Sequence, residues 1–354
     1  MKKIIIIIIS ILIGLVIAGG AYFWYVIQQP LYEPGMVRGE DNLRASLVPP
    51  EQPENSLAWR VEEDIELFHF AEGEGRNVVI VHGGPGAPYI EPWTGLKPLT
   101  GTYRFHYYDQ RGCGESTRPI DTFSSNNYYE NMTTLDRTLG LGAQIADIER
   151  IRRLLDEDKL ILIGHSWGGF LAALYAAEFP DRVDALILIS PADVLVMPQQ
   201  NGGLFELVRQ RLPAQRQADF EAYLLEYLDF GDIFAKSEVD LVALNQEFGN
   251  YYQAALGTPL PEQGRPGGWM VQAMYFSMGR RHDYREALKA VRVPVLVIHG
   301  AEDLQAEETT RLYVEALPKA RFEVIEEAGH FSFLEQPDVF AKTVSKFLDK
   351  EQEP

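Results

Sequence analysis

Leu160-Ile161-Leu162-Ile163-Gly164-His165-Ser166-Trp167-Gly168-Gly169 decides the architecture. Four branched apolar residues run into Gly-x-Ser-x-Gly. Phe170, Leu171, Ala172, Ala173, Leu174, Ala176 and Ala177 follow as a small-residue helix pattern. The stretch predicts a buried strand, a sharp turn and a helix, with Ser166 strained at the strand tip and its hydroxyl exposed. Side chains at 164 and 168 would collide as strand and helix close on the turn, so glycine is expected at both. The helix behind Ser166 offers unpaired N–H groups and the positive end of its dipole, useful where an oxyanion develops. Gly-x-Ser-x-Gly is common by chance; its place between a buried strand and a helix makes it informative.

Strand signals lie on both sides. Leu57–Val61 and Ile65–Phe70 partly alternate, as half-buried edge strands do. Asn77–Val81 is apolar and ends in His82-Gly83-Gly84-Pro85-Gly86. Tyr103–Tyr108 leads into Asp109-Gln110-Arg111-Gly112-Cys113-Gly114. A helix follows with Leu141, Ile145, Ile148 and Leu155 on one face. Val183–Ile189, Val295–Ile298 and Phe322–Ile325 are the later strands. Strands alternating with helices predict an α/β fold, a mostly parallel sheet covered on both faces.

The alternation stops between about Ala192 and Glu286, where helical faces follow one another: Leu204, Leu207, Val208 and Leu212; Phe220, Tyr223, Leu224, Tyr227 and Leu228; Leu241, Leu244, Phe248, Tyr251 and Tyr252. An insertion after a parallel strand is expected over the carboxyl ends of the strands, where open α/β sheets bind ligands. It reads as a helical lid over 192–286, splitting a core of 56–191 and 287–349. The aromatic stripes are read as the core of the lid.

The N-terminus differs. Met1-Lys2-Lys3 precedes an apolar run from Ile4 to Ile27 broken by Ser10. About 24 such residues suffice to span a bilayer. Ala18-Gly19-Gly20-Ala21 offers a signal-peptidase alternative, but the run continues through Tyr22-Phe23-Trp24-Tyr25, an aromatic cluster suited to a membrane interface. The expectation is a transmembrane anchor over 1–27. Lys2 and Lys3 lie before the span and the next Lys or Arg is Arg38, so the catalytic part is expected outside the cytoplasm. Residues 28–55, rich in Pro and Gly, read as a tether or a surface-draped arm. A net charge of -19 without a basic block excludes nucleic acid as a natural partner. Cys113, the only cysteine, excludes an intrachain disulfide and a cysteine-built metal site.

A serine nucleophile needs a base, and the base an orienting carboxylate, in the chain order Ser, acid, His for this kind of sheet. Past Val295–Ile298 the chain reads His299-Gly300-Ala301-Glu302-Asp303, which selects Asp303 with Glu302 and Asp193 as alternatives. Of seven histidines, His330 alone combines that order with a loop position and a neighbouring glycine, Gly329. His69 and His106 sit within strands, His82 and His299 at strand ends, and His282 near the end of the insertion; His165 adjoins Ser166 on a turn where neighbouring side chains diverge. Two backbone donors complete the set: the N–H of Trp167, and that of Gly84 in the His82–Gly86 loop.

His82-Gly83-Gly84-Pro85-Gly86, Asp109-Gln110-Arg111-Gly112-Cys113-Gly114-Glu115-Ser116 and Gly164-His165-Ser166-Trp167-Gly168-Gly169 together resemble the prolyl iminopeptidase group of α/β-hydrolases, from about Ser56 to the C-terminus. The resemblance implies an α/β-hydrolase fold and a serine aminopeptidase that removes an N-terminal residue, often proline, from short peptides. It implies Ser166, Asp303 and His330 as the triad, Gly84 and Trp167 as the oxyanion hole, and no metal or organic cofactor. Such enzymes hold the substrate's ammonium with lid carboxylates. Asn245-Gln246-Glu247-Phe248 is similar to one such element, which makes Glu247 the substrate-binding candidate; Gly267–Gln272 holds no acid. An esterase or amidase acting on an uncharged acyl substrate, and a non-catalytic binding protein, are the competing readings.

Overall fold

The computed structural model describes residues 25, 28–53, 57–199 and 202–350. The anchor expected over 1–27 lies outside them, Tyr25 excepted. Among the described residues no helix is long and apolar enough to cross a membrane.

Eight strands form one sheet: β1 Ala58–Glu62, β2 Ile65–Gly73, β3 Arg76–Val81, β4 Tyr103–Tyr108, β5 Leu160–His165, β6 Val183–Ile189, β9 Val295–Gly300 and β10 Ala320–Ile325. Their order is β1-β2-β4-β3-β5-β6-β9-β10. β1 runs antiparallel to β2 and β2 antiparallel to β4; every later pair is parallel. Alternate residues of the central strands serve opposite faces. Val79, Val81, Leu160, Leu162, Leu186 and Leu188 join one core cluster. Val78, Ile80, Ile161, Ile163, Ile187 and Ile189 join the other. From β3 the chain moves out to β4 and returns to β5 on the other side of β3. The loops after β3 and β5 therefore adjoin at the switch point, where ligands bind in sheets of this kind.

The helices are α1 Tyr128–Leu139, α2 Leu141–Leu154, α3 Trp167–Glu178, α4 Gly203–Arg211, α5 Ala214–Tyr227, α6 Glu238–Leu256, α7 Trp269–Met278, α8 Arg285–Leu288, α9 Glu307–Ala316, α10 Ser332–Glu335 and α11 Pro337–Lys350. Two features depart from the sequence pattern. The insertion is not strand-free: β7 Val196–Met197 pairs antiparallel with β8 His282–Asp283 and clasps its two ends. A helix precedes α2, capped by Asn127, whose side chain accepts from the Glu130 N–H.

Residues 28–53 are docked on the domain. Tyr32, Val37 and Leu47 are buried. Glu178, at the end of α3, is buried and gathers the Tyr32 hydroxyl at 2.9 Å and the N–H groups of Gly35 at 2.7 Å, Arg38 at 3.1 Å and Val37 at 3.4 Å. A carboxylate is buried at low cost only where donors surround it, and here the arm supplies them. Glu178→Ala is expected to lower the free energy of unfolding by about 3 kcal/mol, since several donors lose their acceptor, and Tyr32→Phe by about 1 kcal/mol. Urea denaturation checks both; an Ala variant as stable as the parent would refute the latch.

Candidate active site

Ser166 caps the N-terminus of α3 with φ 54° and ψ −121°, a left-handed conformation that costs a non-glycine residue about 1–3 kcal/mol. The glycines around it have no room for a side chain. A Cβ on Gly164 would stand 2.3 Å from the Gly168 carbonyl oxygen, and one on Gly168 2.0 Å from that of Val81 on β3. The His82–Gly86 loop closes on the same point: a Cβ on Gly83 would lie 3.0 Å from the Ser166 Cβ. Gly84 follows at φ 117°, accessible to glycine. The N–H of Trp167 is the first of α3 and has no partner within the helix.

The structure brings Asp303 and His330 together. His330 Nδ1 donates to Asp303 Oδ2 at 2.9 Å and lies 3.1 Å from Oδ1, with both side chains buried. Burial alone would raise the Asp303 carboxyl. The His330 charge, together with the hydrogen bonds from His330 Nδ1 and the Gln305 N–H, outweighs it and holds the group below its ordinary value. The two other acids go elsewhere. Glu302 is exposed. Asp193 gives its N–H to Gln305 Oε1 at 2.9 Å, its Oδ2 is buried with no partner among the described residues, and burial pushes its carboxyl up to about 7. Glu247 is exposed on α6, with Tyr223 and Tyr251 beside it. The residue of α6 that reaches His330 is Tyr252, whose ring centroid lies 6.2 Å from that of His330.

His165 has a part that sequence position did not reveal. Its side chain turns from Ser166 to the backbone of His330: Nε2 donates to the His330 carbonyl at 2.8 Å. A carbonyl only accepts, so Nε2 carries the hydrogen and Nδ1 accepts from the Tyr89 hydroxyl at 2.7 Å. Burial drives the His165 pKa well below its ordinary value, which keeps the ring neutral. One imidazole thus ties the segment after the His82–Gly86 loop, the residue before Ser166 and the loop of His330.

The two other motifs stitch the site from behind. Gln110 gives its N–H to His82 Nε2 at 3.0 Å and its side-chain amide to the His82 carbonyl at 2.8 Å. His82 Nδ1 donates to the Gly83 carbonyl at 2.9 Å, and burial lowers its pKa to about 4. Arg111, wholly buried, forks onto Asp147 at 2.6 and 2.5 Å and reaches Glu62 at 2.7 Å. These groups position the loops. Among the described residues no cluster of His, Cys, Asp or Glu suits a metal.

Residues 76–337 match the family model for the alpha/beta hydrolase fold. The chain belongs to that family, and it is a hydrolase. A curated relative from Heyndrickxia coagulans named proline iminopeptidase is 28% identical over 290 residues, covering 78% of this chain and 92% of the relative. A solved proline iminopeptidase from Mycobacterium smegmatis superposes with a TM-score of 0.53 at 21% identity, over 82% of this chain and 96% of the other. A solved esterase from Thermogutta terrifontis gives 0.52 at 22% identity, over 81% and 94%. At that identity the two superpositions establish the fold and leave the substrate open.

His165→Leu is expected to lower kcat on any cleaved substrate by about 10- to 100-fold with KM little changed, because the base loses its fixed position. His165→Gln, which can still donate to the carbonyl, is expected to recover part of the loss. Steady-state kinetics on variants with native circular dichroism would decide; a folded Leu variant with parental kcat makes the tie structural only.

Proposed function

We propose that the protein is a serine aminopeptidase of the prolyl iminopeptidase type, releasing the N-terminal residue of short peptides through an acyl-enzyme. The observation that carries the reading is the buried Asp303–His330 pair, 2.9 Å apart, one hydrogen bond from the residue that precedes a left-handed Ser166. The names of the curated relatives favour peptides over esters.

In this scheme His330 Nδ1 is committed to Asp303, so Nε2 takes the proton as Ser166 Oγ attacks the carbonyl carbon of the N-terminal residue. The N–H groups of Trp167 and Gly84 hold the resulting oxyanion. His330 passes the proton to the departing amine as the acyl-enzyme forms; water then gives a proton to His330 Nε2 and attacks the acyl carbon, and His330 returns that proton to Ser166 Oγ as the acyl–oxygen bond breaks. No step calls for a metal or an organic cofactor. The helices of 192–286 serve as a lid, a role supported by the approach of Tyr252 to His330 and by the Gly267 N–H on the Gly86 carbonyl at 3.0 Å. Glu247 is the proposed partner of the substrate's ammonium. Residues 4–27 are proposed as a membrane span with the catalytic domain outside the cytoplasm, on the apolar run and the charge asymmetry of the sequence.

The esterase reading keeps one observation in its favour: the part of α6 nearest the base is an aromatic ring, while Glu247 is exposed. Proline and alanine arylamides, free and N-acylated, are to be compared with short p-nitrophenyl esters. The aminopeptidase reading expects cleavage of free-amine arylamides and a loss of at least about tenfold on N-acylation, the value of one charge-assisted hydrogen bond. Ester turnover unaffected by a free amine, with no arylamide cleavage, would transfer the assignment to the esterase. Ser166→Ala is expected to lower kcat by about 10⁴-fold or more in either case. Glu247→Gln is expected to raise KM for free-amine substrates several-fold and spare esters; equal effects on both would remove Glu247 from amine recognition.

A further inference from the structure

The chain that follows the apolar run has no slack. The Gln28 carbonyl accepts the N–H groups of Arg280 at 2.9 Å and Arg281 at 3.1 Å. Gln28 Oε1 accepts from Arg281 Nε at 2.8 Å. Leu31 and Tyr32 donate their N–H groups to the Ser277 carbonyl at 2.9 and 3.1 Å. At Gly279 the contact is so close that a Cβ would stand 2.5 Å from the Gln29 carbonyl oxygen. Ile27, the end of the run in the sequence, is therefore peptide-bonded to a residue fixed at the C-terminal end of α7. If residues 4–27 cross a bilayer, the domain cannot swing on a tether. One face must lie against the lipid surface.

That face is chemically distinct. Around Gln28 stand the exposed Arg280 and Arg281, and next to them the exposed Tyr128, Tyr129 and Leu228. The group is contiguous. The Tyr128 hydroxyl donates to the Phe230 carbonyl at 2.9 Å, two residues past Leu228. The Tyr128 ring packs 6.2 Å from Phe276 on α7, and the Arg280 charge acts on its phenol. Tyrosines and a leucine beside two exposed arginines is the chemistry of the headgroup level. Exposed Asp229, beside Leu228, keeps the contact shallow. In a chain of net charge -19, two adjacent exposed arginines at this point select an anionic surface.

We propose that the face formed by Arg280, Arg281, Tyr128, Tyr129 and Leu228 docks on the anionic bilayer that holds residues 4–27. The proposal rests on the anchor reading of that run. Docking fixes the catalytic domain in one orientation, with α7 standing between the lipid surface and the loop after β3.

The sole cysteine makes the test clean: Cys113 is fully buried, so a cysteine placed at the surface is labelled alone. Full-length Tyr129→Cys, Leu228→Cys and Val339→Cys each carry one bimane. Val339 is exposed on α11, across the sheet from the proposed face. The proteins are reconstituted in phosphatidylcholine–phosphatidylglycerol vesicles containing a lipid spin-labelled near its headgroup. Quenching several-fold stronger at 129 and 228 than at 339 is the expected result. Protein that pellets with the vesicles but shows equal quenching at all three positions overturns the docking and leaves the anchor standing. Protein that stays in the supernatant overturns the anchor, and the docking with it.

Discussion

Where α3 crosses the tips of β3 and β5 there is no space for a Cβ, and the rest of the molecule is built around that contact. Gly168 lies on the Val81 carbonyl and Gly164 on that of Gly168. To leave the strand and enter a helix so close, the chain must pass through φ 54° at Ser166. The strain of about 1–3 kcal/mol has no local remedy. It is offset by the helix itself: Phe170, Leu171, Leu174 and Tyr175 are each 0% exposed. Burying one such side chain is worth about 1.5–3 kcal/mol, so one turn of α3 outweighs the strained residue. The serine is held by core packing on its far side, which leaves its hydroxyl face free of structural duty.

The second constraint is the burial of so many polar groups behind that serine. Each must either stay neutral or be fully paired. His165 and His82 take the first course: burial depresses both, and each ring spends one nitrogen as donor and one as acceptor on fixed partners. Arg111 takes the second, with two carboxylates and the Thr138 carbonyl around its guanidinium. Asp303 is held below its ordinary value, and it faces the imidazole that the reading asks to become charged. Burial thus sets His165 and His82, each tied to neutral partners, apart from His330, which faces a carboxylate.

Much of this was legible in the sequence because it depends on local pattern. All eight strands of the sheet coincide with apolar or alternating runs, and the Ser166 turn and the Asp303–His330 pairing follow from chain order. What was not legible depends on distance along the chain. Helix α1 offers only Leu135 and Leu139 as buried apolar anchors, too few for a period to show. The β7–β8 clasp joins residues 196–197 to 282–283 with two residues a side. His165 reads as a turn neighbour because its partner, His330, is 165 residues away. In the arm, Tyr32, Val37 and Leu47 are buried at intervals of five and ten, neither a helix nor a strand period, so proline and glycine made the segment read as tether or drape.

Helix α7 connects these levels. Its N-terminal end is capped by Glu238, which accepts the N–H groups of Trp269 at 2.7 Å and Gly268 at 3.1 Å and pairs with Arg118. Just before it, Gly267 is bonded to Gly86, at the end of the loop that closes on Ser166. Its C-terminal end receives the arm at Ser277 and Gly279. The body of the helix is buried at Met270, Val271, Ala273 and Met274, so it transmits position as a rigid element of ten residues. An arm fixed at one end and the His82–Gly86 loop fixed at the other leave little freedom between the segment that follows the apolar run and Ser166. A docked arm, rather than a flexible one, is what such a layout requires: slack at Gln28 would free the far end of α7 from the point that sets its place.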